Sequence, residues 1–160
     1  MPLEPTWRLV TSHPALFLAF GLGTGLSPRA PGTVGTLVGF PLYLLLAALL
    51  PPAGVLIALL LAFLIGIPIC DQAGRAVGEP DHGGIVWDEI VAMALVLSLT
   101  PTGAIWWLAA FAAFRFFDIL KPWPIQLADR RWKNGFGVMF DDLLAAGYAI
   151  LLLQLVRLAV

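Results

Sequence analysis

Residues 87–115, WDEIVAMALVLSLTPTGAIWWLAAFAAFR, open on two adjacent carboxylates, Asp88 and Glu89, and then carry no charge from Ile90 to Phe114. An apolar run of roughly 20 residues is enough to cross the hydrocarbon core of a bilayer, and this one is longer. A second charge-free run, from Ala30 to Cys70, is longer still. Of the 160 residues, 60% are hydrophobic and only 12% are charged, against about 25% Asp, Glu, Lys and Arg in a soluble domain. A soluble bundle of this length could not hide so much apolar surface. The sequence reads as a membrane protein, and an all-α one, because the edge groups of an open sheet would go unpaired in lipid.

Turn-forming residues divide the apolar sequence at Pro51-Pro52, at Thr100-Pro101-Thr102-Gly103 and within 71–84. They predict a short amphipathic helix near 12–21, a Gly/Pro-rich loop to about 33, and helices near 34–50, 53–70, 87–99, 103–119 and 138–158. The expected architecture is a small polytopic helical bundle of about five to six helices, one domain over residues 1–160. A helix of 17 residues is about 25 Å long, so the middle pairs either cross a thin bilayer or form deep hairpins. If each pair goes across and back, the loops at 22–33, 71–87 and 115–137 share one membrane face. Five of the nine basic residues (Arg115, Lys121, Arg130, Arg131, Lys133) lie in the third of these loops, and the positive-inside tendency makes that face cytoplasmic. Arg157, near the far end of the last helix, runs mildly against this.

Other classes fall away. A net charge of -1 leaves no basic footprint for nucleic acid. Cys70 stands alone, so neither an internal disulfide nor a thiolate metal cage is expected, and the thiol reads as core filler. The apolar stretch at 15–20 is short and leads into Gly and Pro, so an N-terminal cleavage signal is not expected.

Nine of the ten acidic residues lie between Asp71 and Asp142, and two doublets, Asp88-Glu89 and Asp141-Asp142, sit where polar loops turn into apolar helices. One acid there could cap a helix and meet its positive dipole end. A doublet exceeds what capping needs, since neighbours on a helix point about 100° apart. Two converging doublets repel unless a cation lies between them, and oxygen donors of this kind suit Mg²⁺. The two histidines, His13 and His82, are too few and too separated for zinc; His13 reads as a surface residue and His82 as a loop residue or a support for metal ligands. In FRFFDILKPWPI, Arg115, Asp118 and Lys121 stand three apart on one helical face, and Arg and Lys beside a metal are what a phosphate needs. An interfacial belt, with Trp123 at headgroup level and Lys121 snorkelling, describes the same stretch and is compatible with that role. The loop GLGTGLSPRAPGTVGT, residues 21–36, can turn backbone N–H groups inward around an anion just before a helix start. It is not a P-loop, and Leu26 breaks the GxGxxG pattern; tight turning and close helix packing are the alternative use of its glycines.

Taken in order, GLSPRAPGT, DHGGIVWDEIVA, FRFFDILKPWPI with the DRR after it, and NGFGVMFDDLLAAG resemble the signature blocks of the phosphatidylglycerophosphatase A family, over residues 21–147. Trp87-Asp88-Glu89 and Lys121-Pro122-Trp123-Pro124-Ile125 carry the resemblance most specifically. Ala92, Ala146 and Asn134 stand where the family pattern has glycine, which bears on helix packing. The resemblance implies a small helical bacterial membrane enzyme that removes the terminal phosphate of phosphatidylglycerophosphate, using Mg²⁺, to give phosphatidylglycerol.

Residues and resemblance together lead to a specific expectation of metal-assisted hydrolysis at the cytoplasmic face of the inner membrane. Asp88, Glu89, Asp141 and Asp142 are expected to hold Mg²⁺, and Asp118 to complete the shell or orient the attacking water. Arg29, Thr33, Arg115, Lys121 and Arg130 are expected to contact phosphate, with Asp81 and Asp129 as second choices for the acids. The partners are the lipid substrate and the bilayer, with no protein partner required. An aspartyl-phosphate route would want Asp-x-Asp, which is lacking, and a phosphohistidine route has only His13 and His82 to draw on. Two alternatives stay open: a phosphatase for another lipid phosphate such as phosphatidic acid, and a small ion-binding transporter subunit without enzymatic activity. The latter would place acids at mid-helix and show inverted repeats.

Overall fold

The computed structural model of the chain describes residues 3–159. Among these it is all helical: α1 (Trp7–Val10), α2 (Pro14–Ala19), a 3-10 turn (Gly21–Leu26), α3 (Pro31–Leu49), α4 (Pro52–Val77), α5 (Trp87–Ser98), α6 (Ala104–Leu120), α7 (Ile125–Arg131) and α8 (Gly135–Ala159). The additions to the expected set are short. WRLV is helical because Thr6 accepts from the Leu9 N–H, and IQLADRR follows directly on Pro124; neither stretch is long enough to show a helical period. The bounds also differ at α4. Its apolar run predicts an end at 70, but the helix continues through Asp71, Gln72 and Arg75 to Gly78, whose φ of 77° ends it. Loss of hydrophobicity marks where a helix leaves the apolar layer; the backbone ends where a residue tolerates left-handed φ. Similarly, α8 starts at Gly135, where a Cβ would fall 2.0 Å from Ile67 O.

Three helices, α3, α4 and α8, are long and apolar enough to cross a membrane. Pro residues open α2, α3 and α4, where the missing N–H costs nothing. Helices α3 and α4 form one hairpin, α5 and α6 a shorter one. The far ends meet where Gln154 Nε2 of α8 donates to Leu99 O at 2.6 Å. Helix α5 is the buried centre: Asp88, Ile90 to Ala94, Val96 and Leu97 are all enclosed. Glycines let α3 come close to it, since a Cβ on Gly35 would lie 2.5 Å from Val86 and one on Gly39 2.9 Å from Ile90 O. Ala92 and Ala146 are buried in the apolar cluster formed with Phe114, Ala110 and Ala149, so small side chains stand where the helices are closest. Cys70 is buried beside Met139, Sγ to Sδ 3.8 Å, and belongs to the core as expected.

The outer face is apolar: Leu45, Leu49, Ile57, Leu61, Ile65, Leu108, Leu151 and Leu155 are exposed, which suits lipid and not water. The three polar loops gather at the other end. Lys133 reaches Asp81 at 3.3 Å, Gly135 N–H donates to Asp71 at 3.3 Å, and Gly25 lies so close to Gly84 O that a Cβ would be 1.9 Å from it.

Candidate active site

Four helices send polar side chains to one point near the polar end. The chain enters α5 with Val86 N–H held by Ala19 O at 2.9 Å, and Trp87 Nε1 donates to Ala62 O of α4 at 3.1 Å. Those anchors fix the first turn of α5, which carries Asp88 and Glu89. Helix α8 contributes Asp142, and one oxygen from each of Asp88, Glu89 and Asp142 lies within 4.8 Å of the others. The last two turns of α6 supply Arg115 and Asp118, which pair with each other; Arg115 Nη1 also stands 3.7 Å from Glu89 Oε1. Asp118 adjoins Asp142.

The charges do not balance. Asp88, Glu89, Asp118 and Asp142 face the single guanidinium of Arg115. Asp88 Oδ1, Glu89 Oε2 and Asp142 Oδ2 are buried without a hydrogen-bond partner. Buried carboxylate oxygens left alone are costly, and like charges at this spacing add to the cost. An all-oxygen set gathered within 4.8 Å, with three buried oxygens unpartnered, fits a hard divalent cation such as Mg²⁺. The residues present therefore meet the donor requirement.

The glycine loop completes the enclosure. Helix α3 begins at Pro31 after Ala30, whose φ of 47° is left-handed, and no side chain caps it. Its first-turn N–H groups, at Gly32 and Thr33, have no intrahelical acceptor and carry the positive end of the dipole. Gly32 sits against the cluster: a Cβ there would be 2.4 Å from Glu89 Oε1 and 3.3 Å from Arg115 Nη2. One turn on, the fully buried Thr36 donates to Gly32 O at 2.7 Å and accepts from Arg115 Nη1 at 3.4 Å. The assembly is a carboxylate cage, one guanidinium and a helix N-terminus that no side chain caps.

The chain matches the family model described as Phosphatidylglycerophosphatase A over residues 17–157. It is 46% identical to phosphatidylglycerophosphatase A of Haemophilus influenzae over 149 residues, covering 92% of this chain and 91% of that protein. The corresponding protein of Escherichia coli is 42% identical over 139 residues, 86% of this chain and 80% of its own. This chain belongs to the phosphatidylglycerophosphatase A family. A protein of Bacteroides thetaiotaomicron provisionally named phosphatidylinositol-3-phosphatase is 36% identical over 149 residues, 89% of this chain and 92% of its own. No solved structure matches.

In this family member the second acidic doublet divides. Asp142 enters the cage, while Asp141 Oδ2 pairs with Lys121 Nζ and Asp141 Oδ1 accepts from the Asp142 N–H at 3.1 Å. Successive residues on a helix diverge by about 100°, and here the pairing with Lys121 holds the Asp141 carboxylate away from the point where Asp142 joins Asp88 and Glu89. Lys121 also donates to Asp129 at 2.8 Å, and Asp129 meets Lys133 at 3.4 Å. Burial opposes charge on Lys121, but Asp141 and Asp129 outweigh it and raise its pKa. Burial likewise works against the Asp129 carboxylate, and Lys121 and Lys133 outweigh it to hold its pKa below the usual range.

The other expected contacts are spread along the same end. Thr33 is half-buried beside Gly32, whereas Arg29 and Arg130 are exposed and take part in none of the ion pairs among the described residues. Asp81 is exposed and reaches only Lys133. His13 caps α2, its Nδ1 accepting from Ala15 N–H at 3.1 Å and standing 3.5 Å from Gln72 Nε2, and His82 Nδ1 accepts from Gly84 N–H at 3.0 Å. The sequence places Gly32 and Thr36 in the glycine-rich stretch 21–36 without giving either a role of its own. The available signal was a hydroxyl four residues beyond a glycine inside an otherwise apolar helix.

Proposed function

We propose that this protein hydrolyses the terminal phosphate monoester of phosphatidylglycerophosphate, giving phosphatidylglycerol and phosphate, at the cytoplasmic interface of the inner membrane. The observation that carries the reading is the three buried, unpartnered carboxylates of Asp88, Glu89 and Asp142 beside Arg115 and the start of α3, in a chain whose relatives are named for this activity. Asp88, Glu89 and Asp142 would hold Mg²⁺. When bound, the cation offsets charge on the phosphoryl oxygens and makes water a better nucleophile.

The residues supply the rest. Arg115 and the N–H groups of Gly32 and Thr33 meet the charge that builds on the phosphoryl oxygens. Asp118, held by Arg115 through one oxygen, takes the proton of the attacking water on the other. The water oxygen forms a new bond to phosphorus, the P–O bond to glycerol breaks, and the leaving glycerol oxygen is protonated from solvent. Asp141 serves by fixing Lys121 at the rim, where Lys121, Arg29 and Arg130 draw an anionic headgroup inward. The acyl chains stay outside the cage, on the apolar side of the protein.

The test is phosphate release from phosphatidylglycerophosphate by the purified protein in detergent, with Mg²⁺ and then with chelator. Release that survives complete chelation removes the cation from the mechanism, and no release under any metal removes the activity. The relative named for a phosphoinositide phosphatase favours a second reading, in which the same cage serves another lipid monophosphate. Assaying phosphatidylglycerophosphate, phosphatidic acid and phosphatidylinositol 3-phosphate side by side separates the two.

A further inference from the structure

A narrow apolar groove of about 190 Å³ runs between α4, α5 and α8. Its walls include Leu56, Leu60 and Phe63 of α4, Val91 and Leu95 of α5, and Leu143 of α8, and the one ionisable group on it is Asp88. Asp88 stands at the polar end and Leu95 two turns deeper, about 10 Å along the helix at 1.5 Å per residue. The groove thus starts at the carboxylate cage and descends along the helices that cross the membrane. Its rim is on the lipid-facing surface, with Leu56 40% and Leu60 57% exposed. At its head stands Asp88, buried and with Oδ1 unpartnered, so the groove and the cage have this residue in common.

We propose that this groove binds one fatty acyl chain of the lipid phosphate substrate, so that the headgroup enters the cage sideways from the bilayer while the chain lies along α4 and α5. The inference rests on the lipid-phosphatase reading above and adds a binding site for the apolar part of the ligand. An acyl chain fits because the walls offer only hydrocarbon, the opening faces lipid, and the charged end of such a ligand would arrive where the cage is. A wider groove of about 700 Å³ between α6 and α8, lined by Ala109, Phe116 and Leu152 among others, holds no charged group. It is the natural control.

The experiment compares dioleoyl with dihexanoyl phosphatidylglycerophosphate as substrates of the full-length protein in detergent micelles. Leu56→Trp and Leu60→Trp place a ring over the groove on already exposed positions; Leu152→Trp does the same at the control groove. The expected result is a KM for the dioleoyl lipid raised about tenfold in the first two variants, corresponding to lost burial of about two methylenes. Turnover of the dihexanoyl lipid and of both substrates by Leu152→Trp stays at the wild-type level. Equal effects on both chain lengths, or none on either, overturn the proposal. A second arm needs no turnover: a dioleoyl-type lipid phosphate bearing a diazirine on one chain is photolysed with wild-type protein. Labels on 56–63 and 91–95 support the groove, while labels on 105–116 and 152–156, or spread evenly, overturn it. Wild-type protein that binds this lipid in the groove but releases no phosphate from it would sink the hydrolytic reading and leave the binding site standing.

Discussion

Gly32 and Glu89 touch across the start of α3: a Cβ on Gly32 would fall 2.4 Å from Glu89 Oε1. Glu89 Oε1 is the far end of a flexible side chain, so the collision is relieved by moving the carboxylate and not the backbone. Gly32→Ala is therefore expected to fold, with thermal stability within about 1 kcal/mol of wild type because alanine also favours helix. Its kcat/KM should fall about 100-fold, the cost of displacing a site group by an ångström. Circular dichroism melts together with phosphate release check both halves; a fully active Gly32→Ala removes the loop from the site.

Asp142 and Asp141 are neighbours with different expected roles. Asp142→Asn and Asp88→Asn are each expected to lower kcat at least about 1,000-fold, and to abolish the rise in melting temperature that Mg²⁺ produces in wild type. Asp141→Asn should keep that Mg²⁺-dependent rise while losing intrinsic stability, because Lys121 loses a carboxylate partner. Differential scanning in a Mg²⁺ titration reads metal binding apart from turnover. Loss of the Mg²⁺ effect in Asp141→Asn would return that residue to the cation's ligand set.

Thr36 holds Arg115 from inside α3. Thr36→Val keeps the shape and removes the hydroxyl, leaving Arg115 free to shift. The expected loss is about 1 kcal/mol of stability for the hydrogen bonds and about tenfold in kcat, against about 1,000-fold or more for Arg115→Ala. Steady-state kinetics of the two variants check the ratio; equal losses would mean that Thr36 does more than orient the guanidinium.

The Lys121–Asp129 pair makes a prediction in pH. Asp129 has a lowered folded-state pKa, so its contribution is present above the unfolded value of about 3.9 and is lost as pH falls through the folded one. Lys121 has a raised pKa, so its contribution is complete below about 10.4 and fades only as pH climbs through the higher folded value. Between about pH 5 and 9 the destabilisation caused by Asp129→Asn should therefore be constant, shrinking only below about pH 4. Urea unfolding of both proteins at several pH values measures it, and a difference that varies across the neutral range contradicts the assignment.

Much of the fold was legible because the bilayer imposes a simple requirement. Uncharged runs from Ala30 to Cys70 and from Ile90 to Phe114 can only be helices in lipid, and Pro51-Pro52 and Gly103 break them where the structure does. The short helices α1 and α7 were not legible, since four and seven residues show no period and depend on a cap or on neighbouring packing. The reach of α4 to Val77 is not legible in its polar last turns, because polarity marks the edge of the apolar layer whereas the backbone stops at a residue that accepts positive φ.

For the site, position at helix mouths singles out Asp88, Glu89, Asp141 and Asp142, and three-residue spacing singles out Arg115, Asp118 and Lys121, because charge beside an apolar run is expensive unless it has a use. The sequence by itself determined long uncharged helices with the acids and most bases clustered at the mouths of the intervening loops, since hydropathy and charge are properties of the chain. Only the tertiary structure decided that Asp142 joins Asp88 and Glu89 while Asp141 turns to Lys121, and that Gly32 and Thr36 press on the cage. Those outcomes depend on the angle and depth at which separate helices meet, and packing between distant segments sets both.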